Sequence, residues 1–352
     1  MTTTTGNAPT GRRHPLSRFA GYDPDAPPLE VTDLRVVFAD ASGRPGAGGV
    51  VVDGVSYRTA PGRTLAVVGE SGCGKSLTAR AVMGILPRGA RVTGGTVRLH
   101  GIDLLGLDQR ALAQIRGRHL SMVFQDALSA LNPVLPVGHQ IAEVFRAHGD
   151  MNRRQAQRAA VGMLDRVHIP EAARRAGHYP HQFSGGMRQR VMIAMALALN
   201  PEVVIADEPT TALDVTVQAQ IMELLADLQA EHAVSLVLIS HDMGIVANAA
   251  DSVAVMYAGR VAEQAPAEDL YRRPAHPYTR ALLDSIPRRG SRGRALTVLQ
   301  GSPPDPAEST DGCTFRPRCP LASDACATAP SPQAVAPRRT SACHNWKEVV
   351  GA

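Results

Sequence analysis

Gly69-Glu-Ser-Gly-Cys-Gly74-Lys75-Ser76 sets glycines, a lysine and a hydroxyl at the spacing G-x4-G-K-[ST], an arrangement suited to holding phosphate. Glycines let such a loop turn its backbone N–H groups inward, where they and the start of the following helix meet anionic oxygens. The expected binding set is Gly69, Ser71, Gly72, Cys73, Gly74, Lys75, Ser76 and Leu77, with Lys75 reaching β- and γ-phosphates and Ser76 ligating Mg2+. Lys75 and Lys347 are the only lysines among 37 basic residues, so position 75 calls for a compact ammonium where the chain elsewhere uses the planar arginine fork. Asp207 and Glu208 end the apolar run 203–206. Carboxylates there are costly unless a cation or water-filled site receives them. Asp207 is read as holding Mg2+ through its water shell and Glu208 as polarising the attacking water, an ordinary acidic turn being the alternative. His241 follows the run 236–240 at a strand's carboxyl end, where open α/β sheets bind ligands, and could contact the γ-phosphate or be merely structural.

These groups need a scaffold that brings strand ends together. Three apolar runs, 65–68, 203–206 and 236–239, lack alternation, as expected of strands buried on both faces of a parallel sheet. Val217, Ile221, Leu224, Leu225 and Leu228 recur at helical spacing and predict a crossover helix between the second and third run. The fold class is therefore α/β. Strand signal vanishes between about 126 and 182, where segments such as 140–148 and 153–167 predict an inserted helical subdomain within a sheet domain spanning 29–265. Residues 1–28 are poor in large apolar side chains and carry Pro24, Pro27 and Pro28, which predicts a disordered leader outside the fold. Pro, Arg and Cys become frequent over 266–352, which reads as a separate module.

The hydrophobic fraction of 44% suits a packed core, and the net charge of +5 is spread along the chain, which gives no basis for a nucleic-acid partner. The longest apolar run, 191–199, is about half the roughly 18 residues that a membrane span needs. The N-terminus lacks the apolar core of a secretory signal, so the protein is expected in the cytoplasm, meeting a membrane only through partners.

Ser184, as an N-cap followed by Gly185, Gly186 and the apolar stretch 191–199, describes a second anion-binding helix end. Phe183-Ser184-Gly185-Gly186-Met187-Arg188-Gln189-Arg190 resembles the signature motif of ATP-binding cassette (ABC) proteins. The resemblance extends over about residues 31–262 and implies a P-loop NTPase fold with a mostly parallel core sheet. It also implies that the Ser184 end faces the γ-phosphate of ATP bound to the opposite subunit. Gln125 is similar to the family's Q-loop glutamine, which also approaches Mg2+, Asp214 to its D-loop aspartate and His241 to its switch histidine. Phe38 is the candidate for stacking on adenine, although many cassettes have Tyr there and a core strand Phe is the alternative.

The tail strings Ala275-His-Pro-Tyr-Thr-Arg-Ala-Leu-Leu, Gly301-Ser-Pro-Pro and Gly312-Cys-Thr-Phe-Arg-Pro-Arg-Cys-Pro resemble the C-terminal extension of oligopeptide, dipeptide and nickel importer ATPases. Met187 and Ala206-Asp-Glu-Pro-Thr-Thr-Ala-Leu-Asp are similar to the first of the two paired ATPases of such systems. The resemblance implies a second, paralogous ATPase, two permease subunits and an external substrate-binding protein, with this chain peripheral on the cytoplasmic face. The implied activity is ATP hydrolysis that powers peptide import, with nickel or sugar cargo as alternatives. A soluble cassette acting on DNA or ribosomes usually shows two cassettes or a coiled-coil insertion, and neither is visible here.

Cys313, Cys319, Cys326 and Cys343 cluster as C-x5-C-x6-C-x16-C, which suits four thiolates on structural zinc or an iron–sulfur centre. Cys319-Pro320 and the absence of tight C-x2-C pairs, together with the importer resemblance, imply a [4Fe–4S] cluster, with Zn2+ or free thiols as alternatives. A metal there would supply much of the tail's folding energy.

Overall fold

The computed structural model describes residues 14–39, 45–149, 151–211, 213–286, 299–305 and 311–351. Its strands, in chain order, are β1 (Leu29–Ala39), β2 (Pro45–Arg58), β3 (Thr64–Val68), β4 (Ala90–Leu99), β5 (Ile102–Asp103) and β6 (Leu120–Val123). β7 (Val203–Asp207), β8 (Ser235–Ser240), β9 (Ser252–Tyr257), β10 (Arg260–Pro266), β11 (Gln333–Ala336) and β12 (Arg339–Ser341) follow. They make an antiparallel sheet β2-β1-β4-β5 and a mixed sheet β11-β12-β10-β9-β3-β8-β7-β6.

The apolar runs predicted as parallel strands are β3, β7 and β8, buried at every position and adjacent in the order β3-β8-β7, with β9 and β6 parallel on either side. Alternation is missing from their sequences because both faces are covered. The pleat sends alternate residues to two cores. Ala66, Val68, Val204, Ala206, Leu236 and Leu238 join the core under the helices Val137–His148, Arg153–Arg166, Gly185–Leu197 and Val215–His232. Leu65, Val67, Val203, Ile205, Val237 and Ile239 join the core shared with the antiparallel sheet and the helix Lys75–Val82. The crossover helix Val215–His232 buries Ile221, Leu224, Leu225 and Leu228, as its spacing predicts. Between β6 and β7 the described residues form helices and no strand.

The N-terminal expectation needs correcting for residues 14–28; residues 1–13 lie outside the described ones. Pro15–Arg18 forms a 3-10 turn whose Leu16 is fully buried, with Phe19 and Tyr22 packed beside it on the second core. Asp23 N–H donates to His100 O, so this stretch is a strap across the antiparallel sheet.

The C-terminal region is continuous with the main sheet. β12 pairs antiparallel with β10, and β11 extends the edge. Buried Glu263 on β10 accepts N–H bonds from Ala275 and His276 and pairs with Arg339 at 3.1 Å. Phe315 lies in the first core with Tyr278, so the tail shares an existing core and does not build its own. No helix among the described residues is long and apolar enough to cross a membrane.

Candidate functional site

The phosphate loop closes β3. Gly69 approaches β9 so closely that a Cβ would stand 2.2 Å from Met256 O. Gly74 has φ +99°, and a Cβ there would lie 2.8 Å from Val51 O on β2, so two strands wall the loop and only glycine fits. Gly74 is also the N-cap of the helix Lys75–Val82 and provides no side-chain cap. The first-turn N–H groups of Lys75, Ser76 and Leu77 therefore have no intrahelical acceptor and face the place where an anion would sit. Lys75 is buried, and its Nζ donates to Gly69 O at 2.8 Å and Glu70 O at 2.9 Å inside the loop. Ser71 and Gly72 are exposed at the tip. Leu77's side chain packs on the second core, which restricts its contribution to the backbone. Cys73 is buried, its N–H donates to Glu70 O at 3.3 Å, and burial pushes its thiol pKa up.

The remaining groups stand at the carboxyl ends of neighbouring parallel strands. Val68 pairs with Ser240, Ile239 with Asp207 and Ala206 with Val123, so Gly69, His241, Glu208 and Gln125 follow these strand ends in one row. Ser76 Oγ donates to Asp207 Oδ1 at 2.8 Å, and burial raises the Asp207 carboxyl above its ordinary range against the pull of that bond. A hydroxyl and a buried carboxylate are hard oxygen donors that fit Mg2+, an ion that takes few protein ligands and keeps several waters. Glu208 Oε2 collects three contacts: Gln125 Nε2 at 2.9 Å, Thr211 Oγ1 at 2.9 Å and His241 Nδ1 at 3.3 Å. Glu208 also holds φ at +46°, a strained setting for a non-glycine residue, which aims its carboxylate into this cluster. Gln125, expected near Mg2+, uses its amide nitrogen on Glu208 and leaves the amide oxygen for a metal.

Ser184 caps the helix Gly185–Leu197, its Oγ accepting from Met187 N at 3.3 Å, and both Ser184 and Gly185 are exposed. The glycines here also have a packing role. A Cβ on Gly186 would come 2.6 Å from Val217 Cγ1, so at this point the helices Gly185–Leu197 and Val215–His232 pack closely through glycine. Asp214 caps the second of these helices through Val217 N at 3.0 Å, and its neighbour Val215 is 81% exposed. Its carboxylate is thus placed by capping, next to an uncovered apolar side chain. Phe38 is half-buried on β1 opposite Ala90.

Residues 52–211 match the family described as ABC transporter, and residues 262–326 match the one described as oligopeptide/dipeptide transporter, C-terminal region. The oligopeptide transport ATP-binding protein OppD of Salmonella typhimurium is 48% identical over 315 residues, which span 90% of this chain and 92% of that protein. The dipeptide transport ATP-binding protein DppD of Bacillus subtilis is 48% identical over 293 residues, 83% of this chain and 86% of that protein. The chain belongs to the ABC transporter family. A dimeric bacterial ABC transporter cassette shares its fold with a TM-score of 0.60 at 27% identity, over 68% of this chain and 98% of that one. A dimeric cassette in a post-hydrolysis state, bound to ADP and Pi, gives a TM-score of 0.59 at 27% identity, over 68% and 98% of the two chains.

This ABC ATPase carries, in chain order, the phosphate loop, Gln125, the paired carboxylates and His241. Sequence reasoning misses Thr211, although it stands inside the acidic motif, and misses Tyr278 and Arg318 of the tail, which reach the phosphate loop from far along the chain. Two of the four tail cysteines meet through the backbone, Cys313 N–H donating to Cys326 O at 2.9 Å. Burial raises the thiol pKa of Cys313, Cys319 and Cys343, the last to about 11, and the neighbouring cysteines, Cys326 among them, add to each shift. Among the described residues, however, no group of three or more His, Cys, Asp or Glu side chains is arranged to hold a metal ion. The expected [4Fe–4S] or Zn2+ centre therefore has neighbouring donors but no assembled ligand group here.

Proposed function

We propose that this ABC ATPase binds and hydrolyses ATP to drive peptide import across the cell membrane, from the cytoplasmic face. The carrying observation is the convergence of Ser76, Asp207, Glu208, Gln125 and His241 beside the phosphate loop. Peptide as cargo is supported by the names of OppD and DppD and by the match of residues 262–326.

ATP phosphates would meet the first-turn N–H groups and draw the Lys75 ammonium from Gly69 and Glu70 carbonyls onto the β- and γ-oxygens. Mg2+ held by Ser76, Asp207 and Gln125 would neutralise phosphate charge. Glu208 orients and polarises the attacking water, and His241, 52% exposed, reaches toward the γ-phosphate. Phe38 stacks on adenine. Ser184, Gly185 and Gly186 close over the nucleotide of a second, paralogous ATPase, with Asp214 at the same boundary; the exposed helix end and bare Val215 support that interface.

Two permease subunits and an external binding protein complete the assembly. The docking surface is a groove of about 480 Å³ lined by residues including Phe124, Gln140, Val144 and Met192, beside Leu128 and Val134, which are 57% and 74% exposed. The same reading puts a [4Fe–4S] cluster, or Zn2+, on Cys313, Cys319, Cys326 and Cys343, supported by the all-thiol donor set. Regions 29–265 and 266–352 then act as motor and extension, with 126–182 as the helical arm of the motor.

The test reconstitutes the full assembly in vesicles and measures ATP hydrolysis with and without peptide-loaded binding protein. Peptide-dependent stimulation with uptake is expected; hydrolysis indifferent to peptide, or stimulated only by a nickel chelate or sugar, overturns the cargo assignment.

A further inference from the structure

Glu70 stands inside the phosphate loop, and all of its polar groups are engaged. Its carbonyl accepts Lys75 Nζ at 2.9 Å and Cys73 N at 3.3 Å, both from within the loop. Its other bonds come from the C-terminal region. The Glu70 N–H donates to Tyr278 Oη at 2.9 Å. The carboxylate takes a two-pronged bond from Arg318, Nη1 to Oε2 at 2.7 Å and Nη2 to Oε1 at 2.9 Å. Arg318's side chain is only 4% exposed and Glu70's 27%, so the pair is shielded on the arginine side, and its two parallel hydrogen bonds fix the geometry.

Arg318 is itself held from several sides. Its Nε donates to Gln300 O at 2.9 Å, its Nη1 reaches Tyr257 Oη at 3.3 Å, and its guanidinium lies 5.7 Å from the Tyr257 ring centroid. Beneath it, Tyr257, Tyr278 and Phe315 pack with centroid separations of 4.6 to 5.4 Å. Tyr257 follows Met256, whose carbonyl walls Gly69, so one strand end supports both the loop and the tail's contact with it.

We infer that Arg318, aided by Tyr278, is a positioning residue for nucleotide binding: through Glu70 it fixes the outer side of the phosphate loop, so that Lys75 and the first-turn N–H groups are set for phosphate. The inference rests on that loop being the ATP site. It gives the C-terminal region a task in the ATPase reaction itself, because Arg318 directly precedes Cys319, and a displacement of the cysteine segment moves the guanidinium that holds Glu70.

The test titrates the full-length protein with a fluorescent ATP analogue and measures ATP KM, kcat and melting temperature for wild type, Arg318→Gln, Arg318→Lys, Glu70→Gln and the double variant Glu70→Gln/Arg318→Gln. Each Gln single should weaken nucleotide affinity and raise KM about tenfold with a smaller change in kcat, and the double should be no worse than either single, since one bond is lost in all three. Arg318→Lys should fall between, retaining charge without the fork. Unchanged affinity with a lowered melting temperature, or additive losses, overturns the inference. Should Arg318→Gln fail to fold, Glu70→Gln decides alone, because it leaves Arg318 its bonds to Gln300 and Tyr257: weakened affinity supports the inference and wild-type affinity overturns it. Failure of wild type to bind the analogue would instead count against the ATP site.

Discussion

Gln125 Nε2 donates to Glu208 Oε2 at 2.9 Å, tying the exposed segment just beyond β6 to the buried carboxylate just beyond β7. Gln125 stands beside the exposed segment that holds Leu128 and Val134, so under the proposed function the bond would join the permease-docking surface to the carboxylate assigned to water activation. On that reading, a displacement at the surface would reach Glu208 through a single side chain.

Removing the link should separate binding from coupling. Gln125→Ala should weaken Mg2+-ATP affinity only modestly, since the phosphate loop, Ser76 and Asp207 remain in place, while hydrolysis in the assembled transporter loses most of its response to loaded binding protein. Steady-state ATPase assays with and without the permeases check this, and full stimulation in the variant would remove Gln125 from the route.

Glu208→Gln keeps the side chain's shape and removes its basicity. Hydrolysis should slow about 10²–10⁴-fold while nucleotide binding persists. Single-turnover assays read the chemical step directly, and a wild-type rate would exclude Glu208 as the residue that activates water.

Gly74→Ala meets two obstacles, a φ of +99° and Val51 O at 2.8 Å from the added Cβ. Relief requires the loop to move off β2, disturbing the N–H groups that face phosphate, at a cost of about 1–3 kcal/mol. Calorimetric titration should show ATP affinity falling about tenfold or more. Wild-type affinity would mean that the loop is not set by this wall.

His276 gives the tail a dependence on pH. Its Nδ1 accepts from Tyr278 N at 3.1 Å, and complete burial holds the imidazole down to about 4. An unfolded histidine titrates near 6.5, so between these values the unfolded chain binds a proton that the folded one lacks. Stability from this group is complete above about pH 6.5 and declines as pH falls toward 4, with about 2 kcal/mol lost by pH 5. Denaturant titrations at both pH values should show a smaller acid loss in His276→Asn, which keeps a capping oxygen that cannot titrate. Equal losses would assign the acid sensitivity to other groups.

The phosphate loop, β7's carboxylates and His241 were legible in the sequence because each is a local string whose neighbours also declare the strand it ends. The same holds for Ser184, whose capping role follows from the residues beside it. The N-terminal strap was not legible: Leu16, Phe19 and Tyr22 sit among Pro, Arg and Gly in a stretch too short for periodicity to emerge. β12 is three residues long, Arg-Thr-Ser, and pairs because β10 offers an open edge, which no local pattern announces. Arg318 and Glu70 lie 248 residues apart, and only the folded chain brings them together.

In the proposed function, ATP is gripped between Lys75's loop on one subunit and a Ser184-type helix end on its partner. A structure of the assembled Glu208→Gln transporter with Mg2+ and ATP tests it most directly. γ-Phosphate density should touch Lys75 Nζ on one side and the partner ATPase's signature helix N-terminus on the other, with Ser184 placed reciprocally on the second nucleotide. Nucleotide bound at Lys75 with both signature ends turned away into solvent would contradict it.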